Sequence, residues 1–176
     1  MGHHAPDMPI QVDDDTGVWT TDALPMLYVP RHFFINNHVA VEEALGADVY
    51  AEALYKAGYK SAYFWCQKEA AEHGLAGDAV FLHYMKRLSQ RGWGIFTTQS
   101  LDVAAGTCRV RLDHSSFYLQ LGKVDRKVEY MFTGWFAGAM DQVAEAQGVA
   151  VRTQAHQVQS QAETGCEFGL FETTPI

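Results

Sequence analysis

The sequence predicts an α+β fold: N-terminal helices, an antiparallel sheet, one long core helix and a C-terminal strand pair. Three observations carry this. Between Arg31 and Gln90 apolar residues recur at helical spacing and stop at glycines. From Trp93 to Asp113 two strand-like runs flank Ala104-Ala105-Gly106. From Lys127 to Gly148 the apolar positions cover so wide a face that the helix must be largely enclosed. Helices followed by strands, without βαβ alternation, are the pattern of segregated layers rather than of a parallel sheet.

The 176 residues, 48% of them hydrophobic, suffice for one domain with a full core. We read residues 1–23 as a flexible N-terminal arm and 24–176 as a single domain. The net charge of −8 argues against nucleic acid or anionic membrane as the main partner. No apolar run approaches the roughly 18–20 residues that span a bilayer, and the first residues carry no signal-peptide h-region. Cys66, Cys108 and Cys166 are widely spaced and odd in number, so no disulfide framework is expected and the cytoplasm is the natural compartment. His3 and His4 are too few to argue for metal.

In chain order, residues 1–17 are polar and carry Asp13-Asp14-Asp15, the composition of a solvated arm. Leu24 to Pro30 is extended, because Pro25 and Pro30 oppose a helix. Arg31 to Leu45 reads as a helix bounded by Pro30 and Gly46. Its Asn36-Asn37-His38 is either an internal hydrogen-bonding knot or a ligand-orienting group. Asp48 to Gly58 reads as a second helix with Gly58 as its stop, and Tyr59 to His73 as a third. Gly77 to Gln90 makes a fourth, with Val80, Phe81, Tyr84, Met85 and Leu88 inward, Lys86 and Arg87 outward, and His83 at the edge. Trp93–Val103 and Thr107–Asp113 then read as strands, and His114–Leu121 as a third strand with Phe117, Leu119 and Leu121 on one face.

The core helix places Met131, Trp135, Ala139 and Val143 on one line, with Phe132, Phe136 and Met140 beside them. Gly134 and Gly138 lie on one side; each costs ~1 kcal/mol against alanine. They make sense where another backbone, or a ligand, comes close. A strand follows over Val149–Gln159, alternating Val149, Val151, Thr153 and Ala155 against Arg152, Gln154 and His156. The last strand sets Cys166, Phe168 and Leu170 on one face, with Glu167 on the other.

Gly134-Trp135-Phe136-Ala137-Gly138 on a helix, a polar strand, then Gly165-Cys166-Glu167-Phe168 at the last strand resembles the 4-vinyl reductase domain family. The resemblance runs from about Ala51 to the end; upstream the chain resembles a proteobacterial subgroup often encoded near genes for demethylating methylated amines. That family consists of small ligand-binding domains, related to sensor domains of aromatic-responsive regulators and to vesicle-tethering subunits of the TRAPP type. The resemblance therefore implies a ligand held between the core helix and the sheet, and a homodimer or a subunit of a larger redox or demethylase complex.

Some relatives bind zinc through cysteines and an acidic residue, but of those ligands only Cys166 has a counterpart here, and Gln154 or Gln157 with one thiolate is a poor zinc set. No metal and no cofactor is expected; Cys-x-x-Cys, a phosphate loop and a dinucleotide fingerprint are all missing from the sequence. Cys66 reads as an inert core thiol. Asp113-His114-Ser115-Ser116 holds the residue types of a hydrolytic triad, but neighbours alternate faces in a strand and cannot form the relay.

What remains is aromatic density beside a few polar groups. An apolar pocket with a few convergent polar groups is the usual form of a small-molecule site. The candidate ligand-binding residues are Trp65, Glu69, His83, Tyr84, Trp93, Phe132, Trp135 and Phe136. The reading is a non-catalytic module for a small apolar or aromatic ligand, or for a methylammonium cation, which tryptophan faces attract. By alignment of the Gly-Trp segment, Trp93 sits where the aromatic-sensing relatives place a ligand-contacting tryptophan. The alternatives are a reductase-like or demethylation-associated enzyme subunit using a partner's cofactor, with Glu69, His83 or His114 for acid–base chemistry, and a structural assembly subunit.

Overall fold

The N-terminal chain folds back on itself before the helices begin. In this computed structural model, which describes residues 5 and 7–176, strands β1 (Ile10–Val12), β2 (Trp19–Thr21) and β3 (Leu24–Met26) form a small antiparallel sheet. Two of these strands fall within residues 1–23, read from sequence as a flexible N-terminal arm; His3 and His4 lie outside the described residues. Between β2 and β3 the turn is Asp22-Ala23, with φ of +51° and +60°. Two positive-φ residues joining paired strands match the right-handed twist of a hairpin.

Helices α1 (Arg31–Leu45), α2 (Ala47–His73) and α3 (Asp78–Gln90) follow. Strands β4 (Ile95–Asp102) and β5 (Thr107–Asp113), helix α4 (Ser116–Leu121), helix α5 (Tyr130–Ala146), strand β6 (Thr153–Gln159), the one-turn α6 (Gln161–Thr164) and strand β7 (Gly169–Pro175) complete the order. The main sheet is antiparallel with order β4-β5-β7-β6. The fold is α+β, as the sequence predicts.

Helix α5 lies between two layers, which explains its wide apolar surface. Phe132 and Phe136 meet Phe171 of β7, at ring-centroid distances of 6.1 and 5.0 Å. The opposite face meets α2 at backbone range. A Cβ on Gly134 would run into the Tyr55 carbonyl, and one on Gly138 into the Tyr59 carbonyl. Gly58 of α2 answers from the other side, facing the Met131 carbonyl and the Trp135 ring. The glycines serve close helix packing, one of the two readings left open by sequence. Asp141 ties three elements at this crossing: it accepts from Tyr59 Oη at 2.7 Å, from Thr153 N at 2.8 Å and from Thr153 Oγ1 at 2.8 Å.

Three sequence expectations need correction. Asp48–Gly58 and Tyr59–His73 are one helix, because Gly58 is spent on packing against α5 rather than on a left-handed cap; the cap is Gly74, at φ +61°. Residues 116–121 are helical rather than extended: His114 turns the chain at φ +56°, and α4 buries Phe117 while leaving Leu119 exposed. The last strand begins at Gly169, so Cys166 and Phe168 precede it, and Phe171 is its fully buried ring.

Candidate functional site

Ring contacts sort the eight candidate residues into two groups. Trp93, Phe132, Trp135 and Phe136 form the first. Trp93 sits between Gly92 and Gly94, both at positive φ (+83° and +144°). A side chain at Gly94 would collide with Leu112 and the Asp113 carbonyl, so the chain passes tightly over β5 and presents Trp93 to α5. Its ring lies 5.2 Å from Trp135, 6.0 Å from Phe132 and 5.2 Å from Phe34, each close to perpendicular. Phe132 stacks on Trp135 at 4.8 Å and is fully buried. Phe96, Phe117 and Phe171 close round it. Trp93 and Phe34 are half-buried, so this aromatic group reaches the surface at that end.

Trp65, Glu69, His83 and Tyr84 form the second group, where α2 ends beside α3. Trp65 stacks on His83 at 5.6 Å and leans on Tyr84 at 4.8 Å. Arg91 lies over the Trp65 ring, 5.0 Å from its centroid. Glu69 has no exposed surface at all. His83 Nε2 lies 2.9 Å from Glu69 Oε2. Burial, then Arg87 and His73, pulls the His83 imidazole down to about 4, so it is neutral at physiological pH. Burial, then the facing Asp22 charge, pushes the Glu69 carboxyl up to about 8. The His83–Glu69 contact is accordingly a hydrogen bond with one shared proton rather than an ion pair.

The structure adds three residues to this group that the sequence reading passed over. Asp22, in the β2–β3 turn, is driven into the end of the helical layer with its side chain fully enclosed. Arg87, expected to face out, is buried and donates to Asp22 Oδ1 at 2.8 Å and to the Asp7 carbonyl at 3.1 Å. His73 Nε2 lies 3.2 Å from Asp22 Oδ1 and 3.3 Å from Glu69 Oε2. The available signal was spacing: His73 stands one helical turn after Glu69. For Asp22 no sequence signal foretold burial.

Clefts of about 630 and 330 Å3 open at the surface, and none of the eight residues lines either. The larger runs between α2, α5 and β6 past Tyr55, Glu129, Tyr130 and Gln157. The triad types do not meet: Asp113 pairs with Arg111, which holds its carboxyl below the usual range, while Ser115 Oγ donates to Glu129 at 2.9 Å. Burial pushes the Cys66 and Cys108 thiols up, the latter to about 11. His38 is fully enclosed by Tyr50, Phe117 and Tyr130 and lies 3.5 Å from Glu42, whereas Asn36 and Asn37 are exposed, so the three do not form a knot. No helix among the described residues is long and apolar enough to cross a membrane.

Among solved structures, the phenol-responsive sensory domain of the transcription activator PoxR, in complex with phenol, superposes with a TM-score of 0.78, at 11% identity, over 94% of this chain and 84% of that one. A trafficking protein particle complex subunit 3 from Naegleria fowleri, covalently bound to palmitic acid, gives a TM-score of 0.56 at 11% identity, over 83% of this chain and 95% of that one. A vinyl-4-reductase family protein from Methanocaldococcus jannaschii gives 0.55 at 11% identity, over 86% and 84%. These likenesses establish that the fold is the one shared by the three. No curated protein matches the chain. A family model matches residues 4–99, more than half of the length, and on that match the chain belongs to the family described as Domain of unknown function (DUF5943).

Proposed function

We propose that the chain is a non-catalytic module that binds a small apolar or aromatic ligand against Trp93, Trp135 and Phe132. The observation that carries this reading is the fold shared, over nearly the whole chain, with a sensory domain solved with phenol. Residue chemistry supports it: the aromatic group reaches the surface through Trp93 and Phe34, so a planar ligand can exchange with ring–ring contacts at that end. The same tryptophan faces suit a methylammonium cation, which fits the accessory role in demethylation that the proteobacterial resemblance suggests. Leu27, Tyr28 and Phe33 are exposed beside β3 and α1, consistent with a homodimer or a subunit of a larger complex.

The test is a titration of the protein with phenols, alkylbenzenes and methylated amines, followed by tryptophan fluorescence and calorimetry. One compound class binds saturably, and Trp93→Ala weakens it by about tenfold or more, equivalent to ~1.4 kcal/mol or more. Absence of binding across the panel, or binding untouched in folded Trp93→Ala and Trp135→Phe proteins, overturns the reading.

A further inference from the structure

The end of α2 holds polar groups that the chain itself does not satisfy. Asp22 and Glu69 are carboxylates with fully enclosed side chains, and each leaves one oxygen, Asp22 Oδ2 and Glu69 Oε1, without a partner among the described residues. A buried polar atom left unpaired costs on the order of 1–3 kcal/mol, more when charged. Beside them stand two imidazoles, both presenting Nε2. From the geometry we infer that Asp22, Glu69, His73 and His83 bind one divalent transition-metal ion of the zinc type.

Distances support the assignment. Donors about 2.0–2.1 Å from a tetrahedral ion lie about 3.3–3.4 Å from one another. His73 Nε2 lies 3.2 Å from Asp22 Oδ1 and 3.3 Å from Glu69 Oε2, and His83 Nε2 lies 2.9 Å from Glu69 Oε2, so these four atoms are at ligand spacing while the second oxygen of each carboxylate is unclaimed. One donor atom from each of the four residues lies within 4.8 Å of all the others. Two imidazoles with two carboxylates is a borderline set suited to zinc, iron(II) or manganese rather than to calcium or magnesium. Glu69 and His73, one turn apart on α2, make a chelating pair; His83 comes from α3 and Asp22 from the hairpin turn.

The surroundings complete the arrangement. Arg87 donates to Asp22 Oδ1 and is braced by the Gln90 side chain at 3.0 Å, which fixes the carboxylate beside the imidazoles and leaves its Oδ2 unclaimed. The side chains of His73 and His83 are 32% and 17% exposed, so the ion has a path from solvent. Three elements contribute ligands, so the metal would clip the N-terminal hairpin to the helical layer. The metal-ligand pattern of the 4-vinyl reductase relatives, which runs through the Cys166 region, is a different place in the chain. The inference is also independent of ligand binding at Trp93.

The experiment uses the untagged 176-residue chain carrying His3→Ala and His4→Ala, so that these histidines contribute no zinc. Elemental analysis after purification without chelator is followed by titration with zinc ions against a chromophoric chelator. The expected result is one equivalent of metal per chain. His73→Ala and His83→Ala each weaken zinc by at least about tenfold, since even residues that only orient a ligand cost 10–100-fold. Glu69→Gln preserves side-chain volume and removes the carboxylate ligand, so it remains decisive should an alanine variant fail to fold. Zinc should also slow proteolytic cleavage within residues 10–26 of the parent protein, and leave Asp22→Asn unprotected. Retained iron or manganese, lost in the same variants, supports the site and renames its ion. No retained metal and no zinc binding overturns the proposal and leaves a proton shared between the two carboxyls as the occupant. Zinc binding unchanged by both Glu69→Gln and His83→Ala overturns it as well, by placing the ion elsewhere.

Discussion

Helix α2 meets its neighbours in two opposite ways. Around Gly58 it lies backbone against backbone on α5, and beyond that contact Phe132, Trp135 and Phe136 are held by other rings. At its C-terminal end Glu69 and His73 gather Asp22 and His83 into an enclosed polar cluster whose carboxylates lack a full set of partners. The interior of the first region, around Phe132 and Phe136, is filled by the chain, so substitutions there register chiefly as lost stability, and only its edge at Trp93 and Phe34 is open to a ligand. The second is incomplete, so substitutions there should alter what the protein binds more than whether it folds.

The largest effect expected in the filled interior is that of Phe132→Ala. This ring is fully buried at the centre of the aromatic group, and such truncations cost about 3–5 kcal/mol. Urea unfolding would measure it; a loss no larger than that of Glu69→Gln in metal-free protein would erase the contrast between the regions. Gly138→Ala comes next. Its added methyl meets the Tyr59 carbonyl, which is backbone and cannot swing away, so about 1–3 kcal/mol of overpacking is expected despite alanine's better helix propensity. A neutral or stabilising Gly138→Ala would show that the α2–α5 crossing is looser than described.

The smallest effect sharpens the comparison from a third place. His38 is enclosed like the aromatic rings yet titratable; burial lowers its pKa below the ordinary 6.5, Glu42 opposing and Arg126 adding to the shift, with Tyr50 and Tyr130 against its ring. A depressed folded-state value means that the stabilising contribution is present above pH 6.5 and is lost as the pH falls through the lowered value. Melting temperatures between about pH 7 and 5 should therefore fall more steeply in the parent than in His38→Phe. Equal slopes would contradict the assignment.

Legibility in the sequence followed the same division. Helix α1 was readable to its ends, because Pro30 and Gly46 bracket it. The wide apolar face of α5 announced its enclosure, and Gly134 and Gly138 announced a close neighbour. Gly58 misled because a glycine used for packing looks, in sequence, like a glycine used for capping. Residues 116–121 misled because Phe117, Leu119 and Leu121 alternate as in a strand, while the decisive feature is the positive φ at His114. Glu69 and His83 stand out in the sequence only singly. Their meeting with Asp22 depends on a hairpin that folds back across about 50 residues, and local spacing carries no trace of it.

The central claim is that a small molecule occupies the aromatic face near Trp93. Native mass spectrometry of untagged protein purified from its own host tests it most directly. A retained small apolar, aromatic or methylammonium compound, lost from folded Trp93→Ala protein, is the predicted result. Protein that carries no such compound and takes none up when it is supplied in excess would contradict the claim and leave the aromatic group as core alone.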